Sequence, residues 1–321
     1  MNIYDFDKTI YDGDSTAAFI KYCAGRYPKA YITIIPTLWS FFLYVLGVYT
    51  KTQFKEKMYR FLRYVPDAEK AAEDFWESHE DGILEYYRKQ HREDDIIISA
   101  SPEFLLRPIC KRLGVSRLIA SQVDSSTGKY TGENCWGEEK VTRLKDKYGI
   151  TECDEFYSDS FSDTPLAEIA GSAYIVRKNK LTPWNEYEIT GREKISHMFL
   201  TPQFLMFLIV GVINTLSNIL FSTIYSLFIH NTTAAFFPGY ITSNIVAYLL
   251  NSKLTFKERL GFVRFVKFFI SYIPNFIIQT VIVYLYDLLI QGPSVIAYAI
   301  AAIIGVPVTF VIMKLFAFRK K

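Results

Sequence analysis

Two carboxylates stand two residues apart near the start of the chain, in Asp5-Phe6-Asp7-Lys8-Thr9. They follow a short strand-like segment, Met1–Tyr4, and at the end of a strand side chains at i and i+2 point the same way. Such a pair can divide phosphoryl chemistry between its members. One carboxylate attacks phosphorus, and the other protonates the leaving oxygen and then activates water. Like charges this close repel, so a divalent cation between them and the phosphate is expected.

Three later segments supply what the pair would need. Asp95-Ile-Ile-Ile-Ser99 reads as a buried parallel strand ending in a hydroxyl, with a helix starting near Pro102. A hydroxyl and free N–H groups at a helix start suit a phosphoryl group. Lys140 opens a helical stretch, Lys140–Tyr148, where its cation can balance phosphate and carboxylate charge. Asp154–Tyr157 reads as a further strand running into Ser158-Asp159-Ser160-Phe161-Ser162-Asp163. Two acids four apart at that strand's C-terminal edge make a hard-cation site.

Taken in order, these four segments resemble the haloacid dehalogenase superfamily, in the branch that includes phosphoserine phosphatase. The resemblance covers residues 1 to about 180. It implies an α/β Rossmann-like core with a helical cap inserted after the first motif, and an active phosphatase. Asp5 would be the nucleophile that becomes an aspartyl-phosphate, and Asp7 the general acid/base. Ser99 and Lys140 would hold the phosphoryl oxygens. Mg²⁺ would sit on Asp5, the Asp7 carbonyl and Asp159, with Asp163 in support. Thr9 would order the first-motif loop on the substrate side. Ser101 either faces substrate or caps the helix. Asp14 stands where phosphoserine phosphatases read the substrate amine, or it caps the helix beginning at Ser15-Thr16. No basic partner for an amino-acid carboxylate is evident, which argues against an amino-acid substrate.

The insertion between the first two motifs, about residues 14–92, has helical patterning over Phe54–Tyr64, Ala68–Trp76 and Ile83–Gln90. Within it, 21 residues from Ala30 to Thr50 carry no charge. Wholly helical, that run would measure about 31 Å, enough to span a bilayer. A single crossing here would separate Asp5 from Ser99, Lys140 and Asp159, so the run must dip and return, lie in the interface, or pack inside the cap. Trp39, Tyr44 and Tyr49 favour contact with the interface.

The charge is unevenly distributed. The chain has 321 residues, is 50% hydrophobic and carries a net charge of +3. Residues 201–321 hold nine Lys/Arg against two Asp/Glu, while the preceding 200 hold 27 against 31. An acidic, charge-rich part therefore precedes an apolar, basic one. This excludes a wholly soluble or a disordered protein. The basic residues form no continuous stripe, so nucleic acid is not an expected partner. Four scattered cysteines, Cys23, Cys110, Cys135 and Cys153, form no zinc motif and suit a reducing compartment. The opening Met-Asn-Ile-Tyr-Asp has no signal-peptide character.

Four apolar stretches, about 204–229, 235–250, 265–290 and 293–317, predict a compact unit of four membrane-spanning helices. Lys253, Lys257, Arg259, Arg264 and Lys267 follow the second stretch, and Lys314, Arg319, Lys320 and Lys321 follow the fourth. By the positive-inside rule the N-terminal domain and C-terminus then lie on the cytoplasmic side of the plasma membrane. Asn214, Asn218, Asn244, Asn251, Asn275 and Gln279 lie within or beside the spans. They serve either as glue between helices or as a polar headgroup site. Phe-Leu-Ile-Val-Gly-Val-Ile-Asn-Thr (207–215), Tyr-Leu-Leu-Asn-Ser-Lys-Leu-Thr-Phe (248–256) and Lys-Leu-Phe-Ala-Phe-Arg (314–319) resemble the GtrA-like family of small membrane proteins. That resemblance implies a role near polyprenyl-phosphate-linked sugars.

The sequence thus predicts a phosphatase domain over 1–185, a polar connector over 186–203 and a four-span domain over 204–321. The expected partners are the lipid bilayer, a lipid-linked phosphate substrate and, through the spans, a second copy of the chain. Two rival readings stand beside this one: a lipid-phosphate translocase with an accessory phosphatase, and an anchored phosphatase of a soluble phosphomonoester.

Overall fold

The computed structural model describes residues 1–230, 232–292 and 294–319, with some side chains in the helices after 190 left aside. It divides into two compact units. The first is Met1–Tyr44 with Val48–Glu188, and the second is Val45–Gly47 with the chain from Ile189 onward.

The first unit is built on a six-stranded sheet of β1 (Asn2–Tyr4), β2 (Ile96–Pro102), β3 (Arg117–Ser121), β4 (Cys153–Ser158), β5 (Ala170–Arg177) and β6 (Lys180–Pro183). The order is β3-β2-β1-β4-β5-β6. All pairings are parallel except β5 with β6. Ile96, Ile97 and Ile98 are wholly buried, as a strand covered on both faces requires. Ile3 sits opposite Ile96 on one side and Phe156 on the other. That register sets the C-terminal ends of β1, β2 and β4 side by side, at the edge where open α/β sheets bind ligands. After β5 the chain turns back as β6, with Lys180 opposite Arg177.

Between β1 and β2 lie α1 (Ser15–Arg26), α2 (Ile34–Val45), α3 (Lys51–Met58), α4 (Ala68–His79) and α5 (Glu85–Gln90). Buried residues of α1, α4 and α5 and of the turn after α3 join one cluster that includes Phe19, Phe61, Phe75 and Trp76. The helix expected over Phe54–Tyr64 is α-helical only to Met58 and tightens to a 3₁₀ turn over Tyr59–Tyr64. It starts earlier than its apolar pattern indicates because Thr50 and Gln53 form a capping box. The uncharged run forms a short 3₁₀ segment and then α2, whose 12 residues measure about 18 Å, too short for a crossing of about 30 Å. After β2 come α6 (Glu103–Arg112), α7 (Glu138–Tyr148) and α8 (Thr164–Ala167).

The second unit contains α9 (Gly191–Phe199), α10 (Pro202–Ser226), α11 (Thr232–Leu250), α12 (Phe262–Ile270), α13 (Tyr272–Leu289) and α14 (Ser294–Ile312). The expected connector is therefore partly a helix, α9, whose start is fixed by the Thr190–Glu193 capping box. Of the four expected spans, two have the length and apolar composition to cross a membrane among the described residues: Pro202–Ser226 and Phe262–Leu289. α10 packs along α11, and α13 along α14. Each pair ends in a five-residue π segment, Asn251–Thr255 and Met313–Ala317. The phenylalanines that close them, Phe256 and Phe318, stack with centroids 4.3 Å apart. The sequence shows no internal repeat, yet both hairpins finish in the same way. Within this unit Val45 is buried with Met206 and Val210.

Among the described residues the hydrogen bonds of Asn218, Asn244 and Asn251 stay within their own stretch of helix. Asn244 Nδ2 donates to Tyr240 O, and Asn251 Nδ2 to Ala247 O, each one turn back on its own helix. Asn218 Oδ1 accepts from Ser222 Oγ at 3.2 Å. Asn214 Oδ1 is buried without a partner. The side chains of Asn275 and Gln279, and residues Lys320 and Lys321, lie outside the described residues.

Candidate active site

Asp5 follows β1, and its backbone N–H donates to Tyr157 O of β4, extending the sheet pairing by one residue. The buried Asp5 carboxylate meets Lys140, whose Nζ donates to Asp5 Oδ1 at 2.7 Å and to Asp163 Oδ2 at 2.8 Å. Lys140 lies in the first turn of α7 and is only 2% exposed. Burial alone would depress its ammonium, but Asp5 and Asp163 outweigh that and hold its pKa above the ordinary lysine value. Burial pushes the Asp5 carboxyl up, Lys140 opposes this, and the charges of Asp163 and Asp159 add to the rise.

Asp7 stands in a different environment. Ser101 Oγ donates to its Oδ2 at 2.5 Å, and the Ser15 N–H donates to its Oδ1 at 2.7 Å. Burial raises its pKa, against the two serine hydrogen bonds. Ser101 is steadied in turn by Thr16, whose Oγ1 lies 3.0 Å from Ser101 Oγ. The loop that carries these acids is tight. Lys8 adopts a φ of 57°, and Ile10 and Tyr11 N–H groups both donate to Phe6 O.

Ser99, at the end of β2, is buried, and its Oγ accepts from the Ser101 N–H at 3.1 Å. Asp163 is buried beside Lys140, and its Oδ2 also accepts from Ser158 Oγ at 2.8 Å. Its Oδ1 has no hydrogen-bond partner. Asp159 is half-buried. Burial raises its pKa, with Lys8 and Arg177 opposing, and Arg177 Nη1 donates to its backbone carbonyl.

The structure thus brings Asp5, Lys140 and Asp163 into direct contact and places Asp159 within electrostatic reach. Asp7 and Ser101 form a second contact set. Thr9 is wholly buried, its carbonyl accepts from Tyr86 OH at 2.7 Å, and its hydroxyl has no partner. Asp14 takes the capping role, accepting from Ala17 N–H at 2.8 Å as the N-cap of α1. Ser101 proves to be a partner of Asp7 rather than a cap; its position two residues beyond Ser99, on the same side of the strand end, is the sequence signal. Three supporting residues carry no motif of their own: Ser158, Arg177 and the N–H of Ser15. Only the strand pairing of β4 with β5 makes Arg177 a neighbour of Asp159.

Among the described residues no group of three or more His, Cys, Asp or Glu side chains stands arranged to hold a metal ion. The Lys140 ammonium lies between Asp5 and Asp163 and pairs with both. The donor set still fits a hard divalent cation. It offers only oxygens, and the Asp163 Oδ1 lone pairs are buried and unsatisfied.

Residues 3–168 match the family model of haloacid dehalogenase-like hydrolases, which is more than half of the chain. The chain belongs to the haloacid dehalogenase-like hydrolases. Residues 206–318 match the transmembrane domain shared by the GtrA and DPMS proteins. A probable phosphatase of Mycobacterium tuberculosis is 34% identical over 95 residues, 27% of this chain and 33% of that protein. A histidinol-phosphatase of Neisseria meningitidis is 30% identical over 117 residues, 32% of this chain and 49% of its own. These matches span a third to a half of the relatives' length. Among solved structures, a phosphoserine phosphohydrolase-like protein from Francisella tularensis aligns with 15% identity and a TM-score of 0.36, covering 54% of this chain and 84% of that one. The hydrolase unit and the membrane unit thus occupy separate parts of one chain.

Proposed function

We propose that this chain is a membrane-anchored, Mg²⁺-dependent phosphomonoesterase that removes phosphate from a lipid-linked substrate. The observation that carries the proposal is the unequal treatment of two carboxylates in one loop. Asp5 is held by a charged lysine and left as a nucleophile. Burial raises the pKa of both, but Asp7 has only neutral donors, Ser101 Oγ and the Ser15 N–H, and among the described residues no cation paired with it to hold its anion. Asp5 attacks phosphorus to give an aspartyl-phosphate, while Asp7 delivers its proton to the leaving alcohol. Asp7, now ionised, takes a proton from water, which attacks the phosphorus and frees Asp5. Lys140 and the backbone around Ser99 balance the phosphoryl oxygens. Asp5, the Asp7 carbonyl, Asp159 and Asp163 are the residues that would hold Mg²⁺, which supplies charge neutralisation when bound.

The lipid side of the proposal is supported by the match of the second unit to a membrane domain and by the outer face of α2. There Ile35, Leu38 and Trp39 are 78%, 62% and 61% exposed. An apolar, uncharged helix face of this kind suits the headgroup region of a bilayer. The positive-inside rule supports four spans with the hydrolase on the cytoplasmic side.

The deciding experiment is phosphate release by the purified protein in detergent. Polyprenyl phosphates and phosphorylated glycerolipids would be compared with soluble phosphomonoesters, each with wild type and Asp5→Asn. Release from a lipid phosphate that Asp5→Asn abolishes is the expected result. Release only from soluble esters would leave an anchored phosphatase. Release undiminished in Asp5→Asn would end the proposal.

A further inference from the structure

The cap brings a second cationic station to the site, which no motif announces. Lys51 and Lys55 lie four residues apart on α3, so both occupy one face of that helix, one turn apart. Lys55 reaches back to the core: its Nζ donates to Ala100 O, between Ser99 and Ser101, at 3.1 Å, and to Asn134 Oδ1 at 3.0 Å. Asn134 Oδ1 also accepts from Ser121 Oγ and Tyr130 OH, so that anchor is fixed. Two of the three Lys55 donors are thereby used and one remains. Lys51 is exposed, with its Nζ 4.3 Å from the centroid of the Trp136 ring. Neither ammonium has a carboxylate within ion-pair distance among the described residues, although both lie in the field of the site's acids.

Two cations on one helix face repel and lose hydration. Burial first, and then the charge of Lys51, bring the Lys55 ammonium down to about 8. Although the Lys51 residue is largely exposed, desolvation of its ammonium, which packs against the Trp136 ring, lowers it as well, with Asp163 opposing and Lys140 adding to the fall. Such an arrangement lacks an anion. In the proposed reading Asp5 and Lys140 meet the phosphoryl group, whereas Lys55 lies in the field of Asp7 and Asp14, the side of the proposed proton donor.

We infer that Lys51 and Lys55 bind a second anionic group carried by the leaving alcohol, so that the preferred substrate is a phosphomonoester with a further phosphate or carboxylate close by. The inference rests on the proposed phosphatase reading and narrows it. A phosphate joined through glycerol and a carboxylate present the same charge to this pair, and the experiment separates them.

The test uses the full-length protein in detergent and three soluble esters of matched size. Glycerol 3-phosphate has a neutral leaving group, glycerol 1,3-bisphosphate a second phosphate, and 3-phosphoglycerate a carboxylate. Wild type should favour the bisphosphate or the phosphoglycerate over glycerol 3-phosphate in kcat/KM. Lys51→Met, at an exposed position, should lower that preference about tenfold, mainly through KM, while glycerol 3-phosphate turnover changes little. Lys55→Met should lower the preference more strongly, with a smaller loss on glycerol 3-phosphate as well because Lys55 also holds the Ala100 carbonyl, and Lys55→Arg should restore part of the preference. Thermal melting of each variant separates loss of the Ala100 and Asn134 anchor from loss of charge. Equal loss on all three esters in Lys51→Met, or no preference in wild type, would overturn the inference and leave the phosphatase reading intact. Absence of turnover on every soluble and lipid ester would sink both.

Discussion

The two units treat the acids of one and the amides of the other differently. In the hydrolase unit the acids are met across the fold: Lys140 of α7 reaches Asp5 after β1 and Asp163 after β4, and Ser101 at the end of β2 reaches Asp7. In the membrane unit the amides of Asn244 and Asn251 turn back onto their own helices. The difference follows from what each solvent permits. A sheet edge gathers loops from distant parts of the chain, so polar side chains there can be satisfied by one another. An amide on a helix can bond the carbonyl one turn back without a second element in place, although hydroxyls in this unit also pair across helices, as Tyr225 OH does with Thr242 Oγ1 at 3.3 Å. Convergence marks the chemistry, and self-satisfaction marks the scaffold.

The contrast can be broken at its strongest point first. Asp5→Asn should lower phosphate release by on the order of 10³-fold or more with the fold retained, as measured by turnover and circular dichroism. Retained turnover would remove Asp5 from the chemistry. Lys140→Met removes the one cation shared by two buried carboxylates. It should cost about 3–5 kcal/mol in denaturant unfolding as well as abolish turnover. A variant as stable as wild type would mean that Asp5 and Asp163 are neutral without it.

Smaller effects sharpen the comparison. Ser101→Ala takes away a hydrogen bond to the carboxyl of Asp7 and should lower kcat by about 10-fold to 100-fold with little change in KM. An unchanged kcat would show that Ser15 suffices. In the membrane unit, Asn244→Leu exchanges a bond within one helix for an apolar side chain. It should shift stability in detergent by about 1 kcal/mol or less. A loss as large as that of Lys140→Met would place Asn244 in a polar network rather than a scaffold.

Much of this was legible in the residues because it is local. The strand ending at Ser99, the helix around Lys140 and the strand before Asp159 each follow from a short apolar run and its flanks. The acids at 5, 7, 159 and 163 follow from spacing. What was not legible depends on pairing between distant segments. β3 and β6 are short and partly polar, and only their neighbours make them strands. Thr9 looked like a substrate-side hydroxyl, but loop closure onto Phe6 O turns it inward. Asp14 had two readings, and the free N–H groups at the start of α1 decided for the cap. Lys51 and Lys55 carry no motif; their meaning depends on Lys55 of α3 reaching the C-terminal part of β2 at Ala100 O. The spans were read from composition alone, which fixes neither the break at Ser271 between α12 and α13 nor the matching ends of the two hairpins.

The claim on which the account turns is covalent transfer of phosphate to Asp5. The most direct measurement is acid quenching of the wild-type enzyme during turnover of a lipid phosphate, followed by peptide mass mapping. The account predicts a phosphoryl group on the peptide containing Asp5, absent when turnover is attempted with Asp5→Asn. Steady turnover with that peptide unmodified, or with the phosphoryl group on another residue, would contradict it.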